Sequence, residues 1–513
     1  MTAAVNWVAL TIFIAFFVLV TVLGFVAARW RAGDLHQLHE WGLGGRRFGT
    51  IITWFLVGGD FYTAYTVIAV PALVFAVGAY GFFALPYTII VYPLVFLAMP
   101  RLWAVCQRHQ YVTGADFVHG RYGSRWLALA VALTGLLATM PYIALQLVGI
   151  QVVLGALGVG GGSGWTSDLP LIVAFTILAL YTYASGLRAP AMIAFVKDVM
   201  IYIVVIAAVA IIPIQLGGYE AVFAAADKAF QAKGGATGIL LQPGQYLPFA
   251  SLALGSAFAA FLYPHTMTGV LSSSSGDVIR RNAMLLPAYT VLLGLIAILG
   301  YMAIAAGVAV KSPTEVVPAL FIAIFPDWFV GFSFAAIAIG ALVPAAIMSI
   351  GAANLFTRNV WRAFVDPGIA PAAEARTAKL VSLIVKLGAL VFIVFLPTQY
   401  AIDLQLLGGL WILQTFPAVM LGLFTARLRA DALLIGWLVG MVAGTWMSVA
   451  VSLKPLFPLA LGGVLYPVYI GILAGALNLV VSIGLSIVLN LAGAPRTPDE
   501  TKPDDYALPR GAR

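Results

Sequence analysis

The chain has 513 residues, 62% hydrophobic and only 9% charged, with a formal net charge of +8. A soluble globular protein carries roughly 25% charged residues, so composition excludes a soluble enzyme and points to a polytopic membrane protein. The single cysteine, Cys106, cannot close an internal disulfide, and no zinc-like Cys/His spacing or Walker sequence is present.

Crossing a bilayer takes about 20 apolar residues, and thirteen runs qualify, at 6–28, 50–78, 80–104, 126–157, 169–187, 190–213, 248–271, 285–310, 330–357, 380–400, 405–426, 431–453 and 466–492. They are numbered here as spans one to thirteen. Span one is too long for a signal-peptide core of roughly 7–15 residues and lacks a basic segment before it, so it reads as a retained helix.

Span two carries Gly58-Gly59-Asp60 in its middle, followed by Tyr62, Thr63, Tyr65 and Thr66. A carboxylate in hydrocarbon is costly, and paired glycines invite unwinding. Unwound backbone is tolerated at membrane depth only where it lines a cavity. The alternative is a kink packed on a neighbouring helix.

Spans five and six are joined by only five residues, 185–189, and form a tight hairpin. Lys197-Asp198 lies about one-third into span six, as a snorkelling lysine with its partner or as a sensor of a coupling cation. The loop 214–247 contains a segment suited to a short surface helix. In span seven, Pro264 removes a backbone donor and His265 places a titratable ring beside it.

Interrupted spans two and seven each open a group of five, the pattern of an inverted five-helix repeat with its binding site where the broken helices meet. Span nine is rich in small residues, including Ala345, Ala346, Gly351, Ala352 and Ala353, which suit close packing. Lys386 in span ten reads as snorkelling.

The expected organisation is one transmembrane domain, residues 1–493, with repeats at about 50–213 and 248–426. A disordered, Pro- and charge-rich tail at 494–513 follows. With the N-terminus outside, inner loops hold most basic residues, among them Arg46, Arg47, Arg101, Arg108, Arg121, Arg358 and Arg362. Outer loops hold only Lys228, Lys233, Lys311 and Lys454, so the asymmetry favours an outside N-terminus and a cytoplasmic C-terminus.

Several motifs together resemble the sodium/solute symporters over nearly the whole chain. They are TGADFVHGRYGS at 113–124, TYASGLRAPAMIAFVKD at 182–198 and PAVMLGLF at 417–424. YPHTMTGVL and VVPALFIAIFPDW look most like the bacterial monocarboxylate permeases of that family. The resemblance implies an all-α protein of about thirteen transmembrane helices. Its core, spans two to eleven, would have the leucine-transporter fold and lie in a bacterial inner membrane.

The resemblance also implies a sodium site, with backbone carbonyls of Trp54, Val57 and Ala346 and the hydroxyl of Ser349. Ile350 stands where the family usually has a second hydroxyl, and Lys197 where it has Thr. An ammonium there could stand in for the cation, so the coupling ion is Na⁺ or H⁺. Asp60, Lys197 and Asp198 are the candidates for coupling charge.

The reading is a cation-coupled symporter for lactate, pyruvate or similar acids, not an enzyme. It needs no cofactor beyond the coupling ion and no nucleic acid. Tyr62, Thr63, His265 and Gln405 are the expected substrate contacts, with Asp60 expected to point away from an anionic substrate. Pantothenate or a small amino acid such as alanine or proline is the alternative cargo, and a solute-binding membrane sensor the alternative class.

Overall fold

The computed structural model describes residues 5–30, 33–159, 169–234, 237–395 and 401–508. Helix dominates, as it must where hydrocarbon offers backbone groups no other hydrogen-bond partner. Among the described residues nine helices are long and apolar enough to cross a membrane, or ten if the bent pair Pro243–Ala260 and Pro264–Leu271 is one span. Length and composition alone therefore do not reach the expected thirteen. Span two is broken into short pieces, and span five is a helix of 17 residues, Leu169–Ser185.

One hairpin interrupts the all-helical pattern. Strands β1 (Leu456–Leu461) and β2 (Val464–Tyr469) pair antiparallel, with Leu456 opposite Tyr469. Gly462 and Gly463 make the turn at φ +58° and +81°, the two positive values that a tight two-residue hairpin demands. The hairpin occupies the start of expected span thirteen, so the helix begins only at Ile470.

Span nine (Asp327–Phe356) is the central post: 94% of its most apolar stretch is buried, against 22% for spans one and thirteen, whose outer faces meet lipid. Its glycines set how closely other elements approach. A Cβ on Gly351 would lie 2.7 Å from the Pro264 carbonyl carbon, and one on Gly340 3.2 Å from Ile201. The small-residue stripe thus serves packing, passing the break in span seven at backbone contact. The short helix expected in loop 214–247 forms at Tyr219–Ala232 and buries Val222, Ala226 and Phe230 at a spacing of four.

Two expectations need correction. Lys386 does not snorkel: it is buried, and its ammonium bonds Ser382 O of its own helix at 3.3 Å. The tail is ordered as far as residue 508; residues 509–513 lie outside the described set. Asp499 pairs with Arg121 at 2.5 Å, His109 Nε2 lies 2.8 Å from Asp505, and the Glu500 amide donates to Gly120 O at 2.8 Å. Tyr506 is buried beneath the guanidinium groups of Arg101 and Arg121, 5.6 and 5.5 Å from its ring centre. The composition of the tail is that of a solvated segment, but the basic segments around Arg108 and Arg121 supply partners for its acids.

Arg121→Ala should accelerate hydrogen exchange at the Glu500 amide by roughly tenfold, a loss of about 1.4 kcal/mol; unchanged exchange would show that Arg121 does not hold the tail. Burial raises the Asp505 carboxyl, but bonds from His109, Lys502 N–H and Arg108 outweigh it and hold it below the ordinary value. A depressed carboxyl stabilises attachment above its unfolded pKa and loses that contribution as pH falls through the folded value. Tail exchange should therefore rise on acidification below the usual aspartate range.

Candidate functional site

Span two does not run through the protein. One helical turn at Thr50–Thr53 widens to a π turn at Trp54–Gly58 and tightens to a 3₁₀ turn at Gly59–Phe61. The chain leaves helical geometry at Tyr62 (φ −98°, ψ 85°) and resumes at Tyr65 before Val70–Val77. Polar side chains replace the lost helical bonds. The Ala64 amide donates to Gln146 Oε1 at 3.1 Å, the Thr63 amide to Thr66 Oγ1 at 3.0 Å, and the Tyr65 amide to Thr63 Oγ1 at 2.9 Å.

Span seven breaks where Pro264 predicts. Helix Tyr246–Ala260 ends, and Pro264–Leu271 restarts at 48° after three residues. Proline suits that first helical position because its missing N–H would have no helical partner there. Thr266 Oγ1 lies 2.9 Å from the carbonyls of both Ala260 and Tyr263, closing the exposed end.

The two breaks meet. His265 Nε2 lies 3.2 Å from Asp60 Oδ2, and both side chains are buried. They line a small cavity together with Tyr87, Tyr142, Ser256, Ala260, Tyr263, Thr266 and Gln405. Its volume, about 20 Å³ by the centre of a water-sized sphere, holds about one water molecule. The rings of Tyr142, Tyr263 and His265 stand 5.2–5.3 Å apart and form one wall. Asp60 Oδ1, His265 Nδ1, Ser256 Oγ and Gln405 Oε1 are buried without hydrogen-bond partners.

Five of the expected residues sort cleanly against this geometry. His265 and Gln405 face the cavity. Asp60 also faces it, against the expectation that it points away, because the 3₁₀ turn swings its side chain toward span seven. Tyr62 and Thr63 are turned to structural work: Tyr62 Oη donates to Tyr289 O at 3.3 Å, and Thr63 caps the resumed helix. Sequence reading missed Tyr87, Tyr142, Ser256, Tyr263 and Thr266. Tyr263 and Thr266 flank the Pro-His pair, and Tyr142 follows Pro141 in span four, which are the signals that could have found them.

A second polar cluster sits behind the same turn. Lys197 and Asp198 are wholly buried, not snorkelling. The Lys197 ammonium donates to Gly59 O and to Tyr62 O (3.2 Å) and pairs with Asp198 Oδ1 at 3.0 Å. Asp198 Oδ2 accepts from Tyr289 Oη at 2.9 Å. The carbonyls of Gly59 and Tyr62 therefore face one cluster and the Asp60 carboxylate the other.

Of the four residues expected to hold sodium, Ser349 Oγ donates to Ala346 O at 2.8 Å, and Trp54 O has Tyr289 Oη 3.3 Å away. Trp54 and Val57 lie in the π turn of span two. The cationic group that does touch span two rests on Gly59 and Tyr62 instead.

Comparison with known proteins bears on this arrangement. The profile of the sodium:solute symporter family matches residues 41–440. A Rhizobium johnstonii protein named monocarboxylate transport permease is 63% identical over 490 residues, covering 95% of this chain and 98% of its own. The Bacillus subtilis protein named uncharacterized symporter YodF is 34% identical, covering 85% and 87%. The substrate-bound, outward-open structure of a Na⁺-coupled sialic acid symporter superposes with a TM-score of 0.74 at 15% identity, over 94% of this chain and 98% of that one. This likeness shows the fold, the leucine-transporter type with five-helix repeats opening on spans two and seven.

A Cβ at Gly59 would stand 2.7 Å from Asp198 Oδ2 and 2.9 Å from Lys197 Nζ. Gly59→Ala should therefore force the turn off Lys197, costing about 1–3 kcal/mol of stability, as overpacking does. A lowered melting temperature with strongly reduced transport is expected. Wild-type stability and transport would show that the close approach is dispensable.

Proposed function

The chain belongs to the sodium:solute symporter family, and from that premise we propose that it takes up short monocarboxylates such as lactate or pyruvate with a cation. The observation that carries the reading is the set of four unpartnered polar atoms around one small cavity at the crossing of the broken spans. Buried polar groups are nearly always bonded, and leaving one unmet costs roughly 1–3 kcal/mol. A small polar solute with its own donor and acceptor groups would supply partners for such atoms. The high identity to a protein named as a monocarboxylate permease supports the same cargo.

The chemistry fits a short hydroxy acid best. The Ser256 hydroxyl donates to a carboxylate, while Asp60 Oδ1 and Gln405 Oε1 accept from a hydroxyl. The partial positive start of Pro264–Leu271 adds a favourable field for an anion. The cavity in its present closed form is smaller than lactate, so loading requires spans two and seven to separate. That motion is the alternating access of a symporter.

Energy comes from the cation gradient. One charge moved through 100 mV supplies roughly 2.3 kcal/mol, but a monovalent anion with one cation carries no net charge and draws only on concentration. The basic inner loops support an outside N-terminus and a cytoplasmic tail, and the bacterial inner membrane is the proposed location.

The unpartnered Asp60 Oδ1 favours a second cargo, a small amino acid whose ammonium it would hold. Uptake of labelled lactate into proteoliposomes, with pyruvate and alanine as competitors, separates the two. For monocarboxylate cargo, pyruvate should compete better than alanine, and His265→Ala should lower uptake at least tenfold, a loss of about 1.4 kcal/mol. Strong competition by alanine with abolition by Asp60→Asn would move the assignment to amino acids.

A further inference from the structure

We infer that the start of span twelve, the end of span thirteen and the tail folded against them form a binding site for a phosphate group. Arg121, Arg429, Ala430, Arg496, Thr497 and Asp499 line a cavity there of about 60 Å³ by the centre of a water-sized sphere. That is room for about four water molecules, or for one tetrahedral oxyanion in their place.

Helix Ala430–Ala450 opens on this cavity without a cap. Its N-cap residue is Arg429, at φ −112° and ψ 139°, and the side chain makes no capping bond. Ser, Thr, Asp or Asn is favoured at that position because its oxygen accepts from the first-turn amides. A guanidinium has five donors and no acceptor, so it adds to the surplus of donors. The Leu433 amide donates to Arg429 O at 2.9 Å, and the amides of residues 430–432 precede that first helical bond.

Arg429 is only 6% exposed. Its Nη2 donates to the carbonyls of Ala494 (3.0 Å) and Pro495. Among the described residues its Nε and Nη1 make no hydrogen bond, and no carboxylate pairs with it. Arg496 holds Ala426 O and Asn490 Oδ1 at 3.2 and 2.8 Å. Asp499 is the one carboxylate in the lining, and it pairs with Arg121 at 2.5 Å. Three guanidiniums against one carboxylate leave two positive charges in excess. Asp431, in the first turn of the helix, is exposed and does not line the cavity.

A phosphate group fits this surplus of donors. It brings several strong acceptor oxygens, matches the guanidinium fork and suits a helix N-terminus. Two sources share that chemistry. One is free phosphate. The other is the headgroup of an anionic phospholipid, because spans twelve and thirteen are only 39% and 22% buried and reach the lipid. Occupancy fastens the tail, since Arg429 holds the carbonyls at 494 and 495 and Arg121 holds Asp499.

The test melts the full-length protein in neutral detergent while phosphate replaces chloride at constant pH, sodium and ionic strength. A ligand of the native state raises the melting temperature with its concentration. For a free-phosphate site the rise should saturate, and Arg429→Gln and Arg496→Gln should each need about tenfold more phosphate for it. A change of packing alone shifts the melting temperature equally in both salts and leaves that increment intact. Arg496 is exposed, so Arg496→Gln carries the test even where Arg429→Gln does not fold. For a headgroup site, free phosphate should do nothing. Nanodiscs of phosphatidylglycerol in phosphatidylcholine should then raise the melting temperature over phosphatidylcholine alone, and Arg496→Gln should weaken that rise. No rise from either source, or a rise that Arg496→Gln retains in full, would overturn the site.

Discussion

A helix broken inside a bilayer must find partners for every amide and carbonyl it releases, because lipid supplies none. Everything else about this protein follows from how span two meets that demand. Its amides find Gln146 and the hydroxyls of Thr63 and Thr66, and its carbonyls find a lysine from span six. The break is therefore a built junction between three spans. Gly59 is required there because a side chain would occupy the space of the Lys197–Asp198 pair.

The junction has two faces. Three successive residues, Gly59 to Phe61, place a carbonyl against the ammonium behind and a carboxylate against His265 in front. Span nine supplies the fixed reference: its buried glycines let span seven's break and span six pack at close range without contributing charge. Lipid-facing spans one and thirteen add area outside this core and no polar group to the cavity.

Much of this was legible in the sequence. Gly58-Gly59 beside Asp60 announced the first break and Pro264 the second, since both act locally on backbone geometry. His265 was marked by its place beside Pro264, and Gln405 only by the family resemblance. The rest depended on rotation and contact that no local pattern encodes. Tyr62 and Thr63 adjoin Asp60 in the chain, yet the 3₁₀ turn sends them away from the cavity, while Tyr87 and Tyr142 arrive from other spans. A lysine one-third of the way into an apolar helix reads equally as snorkelling until the neighbouring carbonyls are seen. The tail misled for the same reason: its acids look solvated until Arg101, Arg108 and Arg121 surround them.

The most direct test of the account is an experimentally determined structure of the protein with lactate bound. The account predicts lactate between Asp60 and His265, within hydrogen-bond reach of Ser256 and Gln405, with spans two and seven moved apart to admit it. Lactate bound elsewhere, with this cavity unchanged, would contradict it.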